Sequence, residues 1–88
     1  MMFSVYYTDQ AVRELKKLDK YTRKFILAWI EKNLVGCSDP RALGKGLKSN
    51  RVGQWRYRLG DYRLLVEIQD QMLIILVLTM GHRSDIYK

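Results

Sequence analysis

The spacing of apolar positions changes period once along this chain. That change divides it into a helical first half and a sheet-forming second half. In the first half, Met2 to Tyr7 is rich in aromatic and β-branched residues and predicts an opening strand. Thr8 and Asp9 offer helix-capping side chains. Ala11, Val12, Leu15 and Leu18 then recur at helical spacing, with Arg13, Lys16 and Lys17 on the other side. Asp19 is a second cap. The helix after it carries Phe25, Ile26, Trp29, Ile30 and Leu34 as one apolar stripe. Gly36 ends that helix, and Asp39-Pro40 bars its return.

From Val52 onward the period is two. Trp55, Tyr57 and Leu59 alternate with Arg56 and Arg58, and Tyr62, Leu64, Val66 and Ile68 alternate with Arg63, Leu65, Glu67 and Gln69. Gly60-Asp61 between these runs predicts a tight hairpin turn. Asp70-Gln71 makes the next turn. Leu73 to Thr79 is almost wholly apolar, the pattern of a central strand buried on both faces. The expected architecture is α+β in two layers: a helical hairpin packed on a mainly antiparallel sheet, in the order β-α-α-β-β-β. A short additional edge strand around Lys45 to Lys48 fits the same pattern. Residues 1–88 are expected to form a single domain, since the chain has only 88 residues.

The hairpin makes a specific claim about charge. A two-residue turn at Gly60-Asp61 pairs Leu59 with Tyr62, Arg58 with Arg63, and Tyr57 with Leu64. Cross-strand partners share a face, so Arg56, Arg58 and Arg63 collect on the face away from the helices. Arginines directly opposite each other cost up to about 1 kcal/mol. One reading is that each lays its stem on apolar surface and keeps its head in water. Three on one face, with only Asp61 of the turn as a nearby acid, favours an anion site. Guanidinium forks suit phosphate in particular. Leu65, Ile74, Leu76 and Leu78 fall on the same face. No third helix follows in the sequence to cover them, so they are expected to form an apolar patch rimmed by positive charge. Such a patch fits an amphipathic, acidic segment of a partner protein.

Composition changes this picture in three ways. The formal net charge of +7 points to an acidic partner, either nucleic acid or protein, or to a merely basic solvated surface. The segment 41–51 adds Lys45, Lys48 and Arg51 between glycines, either as a solvated linker or as a set of phosphate contacts. The single Cys37 and single His82 cannot supply a zinc site or a disulfide, so no metal is expected, and a reducing cytoplasm is the expected location. The longest apolar run is too short to cross a bilayer, which argues against a membrane partner.

The tail adds titratable chemistry. His82 follows Gly81 at the end of an apolar strand. It is the side chain whose ordinary pKa suits proton transfer near neutrality, and structural and functional roles are both open to it. Tyr87 fits either a core plug or a stacking platform for a base.

The pattern Trp55-Arg56-Tyr57-Arg58-Leu59-Gly60-Asp61-Tyr62-Arg63-Leu64, followed by Gly81-His82-Arg83 and Asp85-Ile86-Tyr87, resembles the RelE/ParE toxin superfamily. The opening strand, the helix with Leu15-Lys16-Lys17-Leu18 and the basic loop with Leu47-Lys48 fit as well, so the resemblance covers essentially the whole chain. It implies the toxin of a type II toxin–antitoxin pair, held inactive by a cognate antitoxin protein. DNA would then be reached only through the antitoxin. In the RelE branch it implies a ribosome-dependent endoribonuclease that cuts mRNA in the A site. The attacking group there is the RNA's own 2′-hydroxyl, and neither metal nor cofactor takes part. By the same resemblance Arg56, Arg58, Arg63, Arg83 and Tyr87 would carry catalysis, and Lys48 would be a secondary backbone contact. RelE-type relatives carry lysines at the two strand positions, one of them proposed as the general base. Arginines stand at both here, too basic to lose a proton readily, which leaves His82 or pure electrostatics to take over. The rival expectations are a ParE-like inhibitor of DNA gyrase and a nucleic-acid-binding module without catalysis.

Overall fold

The computed structural model describes residues 2–47 and 53–84. Strand β1 spans Ser4–Tyr7, helix α1 Asp9–Lys17 and helix α2 Lys20–Asn33. The rest is sheet: β2 Lys45–Gly46, β3 Gln54–Leu59, β4 Tyr62–Gln69 and β5 Ile74–His82. The five strands form one sheet in the order β1-β5-β4-β3-β2. The pairs from β2 to β5 are antiparallel, and β1 joins β5 in parallel. A parallel neighbour needs a long crossover, and both helices lie within that connection.

Both caps expected from the sequence form. Thr8 Oγ1 accepts from the Ala11 N–H at 3.1 Å and donates to the Leu78 carbonyl at 2.8 Å, so it starts α1 and ties it to β5. Asp19 accepts from the Thr22 N–H at 3.0 Å and from its hydroxyl at 2.6 Å. This holds the Asp19 carboxyl below its usual range. At the hairpin tip Gly60 has φ +61° and Asp61 does not share the positive φ, the pattern of a II′ turn. It pairs Leu59 with Tyr62, as the alternation predicts.

One face of the sheet buries Tyr57, Leu59, Leu64, Val66, Ile75 and Val77 against Ala11, Ile26, Ile30 and Leu34 of the helical layer. Trp29 of α2 meets Tyr57 with ring centroids 5.6 Å apart. Phe25, expected in this stripe, is instead 46% exposed. It lies one position from Ile26, and α2 turns it off the buried face. β5 is central but is not buried on both sides: Ile75 and Val77 are covered, while Ile74, Leu76 and Leu78 are only half-buried. Helices cover one face alone. Past the end of β1, the Glu14 carboxylate of α1 takes over the edge of β5. It accepts from the Met80 N–H at 3.0 Å and from the Thr79 hydroxyl at 2.7 Å. That bond satisfies a strand-edge donor which β1 is too short to reach.

Candidate nucleic-acid interface

Register builds the basic cluster. Arg58 pairs with Arg63, Arg56 with Leu65, and Lys45 with Arg56. Partners across a ladder share a face, so Lys45, Arg56, Arg58 and Arg63 stand together on the face opposite the helices. On β5 the partner of Arg63 is Gly81, which puts no side chain between them and the next cation. That cation is Arg83, two residues on, whose backbone N–H donates to the Asp61 carbonyl at 2.8 Å. Basic residues from β2, β3, β4 and the residue just past β5 are thereby gathered across neighbouring strands.

Their settings differ. Arg58, Arg83 and Lys45 are exposed, Arg56 is half-buried, and Arg63 is 9% exposed. Among the described residues no carboxylate pairs with Lys45, Arg58 or Arg83. At the β2 edge a cleft of about 190 Å³ is lined by Gly44, Lys45, Arg56 and Arg58. Forked donors gathered in this way suit phosphate and can offset negative charge that grows on it.

Several expected site residues fall elsewhere. His82 pairs with Tyr62, which pairs with Leu59, so the histidine belongs to the helix-side face and not to the face of the arginines. Its ring stands edge-on to Tyr62 at 5.7 Å, and Nδ1 lies 2.8 Å from the Ser84 hydroxyl. The physical reason is the register shift between Leu65 and Val66, which reverses the alternation along β5, so that Gly81 falls on the face of Arg63 and His82 on the other. Leu65 does share that face but is only 4% exposed, so it forms the floor rather than a contact surface. Leu78 leaves the ladder. Leu65 pairs with Thr79 and Val66 with Val77, which makes Leu78 the extra residue of a β-bulge. Ile74 and Leu76 keep the expected face, opposite Gln69 and Glu67. Lys48, Arg51 and Tyr87 lie outside the described residues. The Cys37 thiol is pushed up by burial, away from nucleophile chemistry. Among the described residues no group of His, Cys, Asp or Glu could hold a metal, and no helix is long and apolar enough to cross a membrane.

The loop before β2 is bound to the sheet in a way the sequence does not announce. Arg41 makes a bidentate pair with Asp70, at 2.8 and 2.9 Å, which holds the Asp70 carboxyl below its usual range. Trp55 Nε1 donates to the Leu43 carbonyl at 2.7 Å. The Tyr57 hydroxyl donates to the Pro40 carbonyl, and burial raises its pKa so far that it stays a donor. The partners are 12 to 29 residues apart, so no local spacing signals them. The only hint is that Trp55 and Tyr57 carry polar atoms on an otherwise apolar face, which buried aromatics must satisfy.

Known proteins resemble this one in sequence and in architecture. Residues 5–87 match the family described as the ParE toxin of the type II toxin–antitoxin system, parDE. Toxin RelG of Mycobacterium tuberculosis is 34% identical over 89 residues, covering 100% of this chain and 99% of that protein. A putative RelE-like toxin protein of Escherichia coli is 31% identical over 93 residues, covering 99% of this chain and 92% of the other. Among solved structures, the toxin–antitoxin complex RelBE2 of Mycobacterium tuberculosis superposes with a TM-score of 0.85 at 29% identity, over 97% of this chain and 95% of that one. The isolated Escherichia coli RelE toxin gives 0.73 at 21% identity, over 97% and 90%, a likeness of fold. With its sheet, its helical hairpin and its sequence all matched along nearly the full length, the chain belongs to the RelE/ParE superfamily, as the toxin of a type II toxin–antitoxin pair.

Proposed function

We propose that this toxin is a ribosome-dependent endoribonuclease, residues 1–88 acting as one domain, which cuts mRNA in the A site through the RNA's own 2′-hydroxyl. The observation that carries this reading is the direct opposition of Arg58 and Arg63 on the open face, with Arg63 almost buried beneath it. Like charges so placed repel each other, and an anion bound beside them offsets that repulsion. A ribose-phosphate under in-line attack develops charge on its non-bridging oxygens, and two guanidinium forks meet that charge best at its maximum. Arg83, brought alongside by its bond to Asp61, would offset charge on the leaving 5′-oxygen. Arg56 would hold the neighbouring backbone, and Tyr87 would stack on a base. Neither strand arginine is a ready base, and His82 faces away. The rate therefore comes mainly from alignment and charge neutralisation. No step calls for a cofactor. The site of action is the cytoplasm, with translating ribosomes and mRNA as partners and the antitoxin as inhibitor. DNA is reached through the antitoxin.

The experiment is primer extension on mRNA from induced cells, alongside a translation-coupled cleavage assay. New 5′ ends inside translated codons are expected. Their absence, with translation continuing, overturns the proposal. One observation favours a second reading: the matching family is described as a ParE toxin, and the ParE branch poisons DNA gyrase. Gyrase poisoning predicts altered supercoiling on induction while translation initially continues. The arginine cluster has no part in it.

A further inference from the structure

Of the clustered cations, Arg83 alone stands outside a strand, because the β4–β5 ladder ends with the pair of Tyr62 and His82. Its backbone is nevertheless tied on both sides. The Arg83 N–H donates to the Asp61 carbonyl at 2.8 Å and fixes the peptide plane before the residue. The Ser84 N–H donates to Nδ1 of the His82 ring at 3.2 Å and fixes the plane after it. Together the two bonds hold φ and ψ of Arg83. The second bond is a histidine form of the turn in which a side chain accepts from the N–H two residues on. It also sets the tautomer. A backbone N–H can only donate, so Nδ1 is the bare nitrogen and Nε2 carries the hydrogen. The Ser84 hydroxyl, 2.8 Å away, therefore donates to Nδ1 as well. Edge-on packing against Tyr62, at 5.7 Å and 83°, keeps the ring aimed at the turn.

We propose that His82 is a positioning residue for Arg83, which its neutral ring holds by closing the turn at Ser84, and that protonation of the ring releases Arg83. The effect on cleavage rests on the nuclease reading above, in which Arg83 meets the leaving oxygen. An imidazolium has a hydrogen on both nitrogens. Nδ1–H then faces the Ser84 N–H, donor against donor, and the bond is lost. The ring acts from the helix-side face without touching RNA. The ionisable groups around it are Tyr62 of β4, Asp61 of the hairpin turn and Arg83 itself. From the helical layer, Glu14 of α1 is engaged with Thr79 and Met80, and Tyr21 of α2 lines a groove with Asp61 and Tyr62. Both bonds to Nδ1 are exposed to solvent, so the effect is a few-fold one, far below the loss of about 100-fold expected for an arginine that meets the charge directly.

His82 is the single histidine of the chain, so its ring signals in a long-range proton–nitrogen spectrum of the free toxin are unambiguous. The neutral ring is expected to show a bare Nδ1 and a protonated Nε2. Amide exchange then reads the turn between about pH 8 and pH 5.5, the range in which an ordinary imidazole changes charge. His82→Asn supplies an acceptor at the same spacing but does not titrate, and His82→Ala supplies none. Protection factors of Arg83 and Ser84 are expected to be high in His82→Asn and low in His82→Ala at every pH. Wild type should pass from the first level to the second on acidification. In translation-coupled cleavage kcat should follow the same order. His82→Ala is expected about three- to fivefold below wild type at the alkaline end, with KM unchanged. His82→Asn stays near wild type there and exceeds it in acid. Titration of any other group would appear in His82→Asn as well. A hydrogen on Nδ1 of the neutral ring overturns the proposal, as does unchanged Ser84 protection in His82→Ala. Identical pH profiles for wild type and His82→Asn overturn the release by protonation. A loss in His82→Asn as deep as in His82→Ala overturns positioning in favour of a proton-transfer role. If wild type cleaves and His82→Ala matches it at every pH, the positioning role fails and the nuclease reading stands. If wild type does not cleave while the protection pattern holds, the nuclease reading fails and His82 still positions Arg83.

Discussion

Arg63 illustrates how a single side chain acquires a role from its neighbours. Its own strand, β4, runs through the sheet interior, and its cross-strand partners are Arg58 and Gly81. Burial to 9% exposure holds its guanidinium in a defined direction under the open face. Arg63→Ala and Arg58→Ala are each expected to lower translation-coupled cleavage by about 100-fold or more, the loss found when one preorganised charge-stabilising donor is removed. Arg83→Ala should behave similarly in the same assay. His82→Ala should retain activity within a few-fold, because its ring lies on the helix side beside Tyr62. A loss with His82→Ala as large as that of Arg58→Ala would contradict the register argument. Thr8 is a purely structural counterpart. Its hydroxyl serves the Ala11 N–H and the Leu78 carbonyl at once, so Thr8→Ala should cost about 1–2 kcal/mol in urea unfolding.

At the scale of elements, the sheet is finished at both edges by something other than a full strand. Glu14 of α1 closes β5 where β1 stops, and the short β2 with its tied loop closes β3. Both devices blunt an edge that would otherwise pair with another chain. The second device is sensitive to acid. Asp70 has its pKa lowered from 3.8, chiefly by the hydrogen bond from Arg41. A depressed folded-state pKa means the pair contributes fully above the unfolded value and is lost as pH falls through the folded one. Arg41 lies over the Trp55 ring, so Trp55 emission should change in the pH range below 3.8. In Asp70→Asn that transition should be absent from a fluorescence titration. A transition that persists in this variant would mean that another group controls the loop.

The whole molecule divides its two faces between stability and contact. The helices cover one side of the sheet, and the other carries the cations together with the half-buried Ile74 and Leu76. An acidic amphipathic segment on the open face of the present toxin would cover both the cations and the apolar strip. Leu76→Glu is then expected to weaken binding of the cognate antitoxin by about tenfold or more in calorimetry, through a buried like charge at the contact. Affinity unchanged by that substitution would place the antitoxin elsewhere.

How much of this was legible beforehand depended on the range of the interactions. Period-two alternation around Gly60-Asp61 sufficed to pair Arg58 with Arg63, because a two-residue turn leaves one register. Thr8 and Asp19 read as caps, since a cap and its donors lie within one turn. Sequence alone therefore determined the element order, the two layers and the face of the three arginines. Tertiary structure decided the rest. The bulge at Leu78, the side taken by His82, the covering of Leu65 and the exposure of Phe25 follow from how strands and helices meet. The bonds from Trp55, Tyr57 and Arg41 that shape the basic cleft join residues distant in the chain. Their partners are chosen by proximity in space, which no local periodicity encodes.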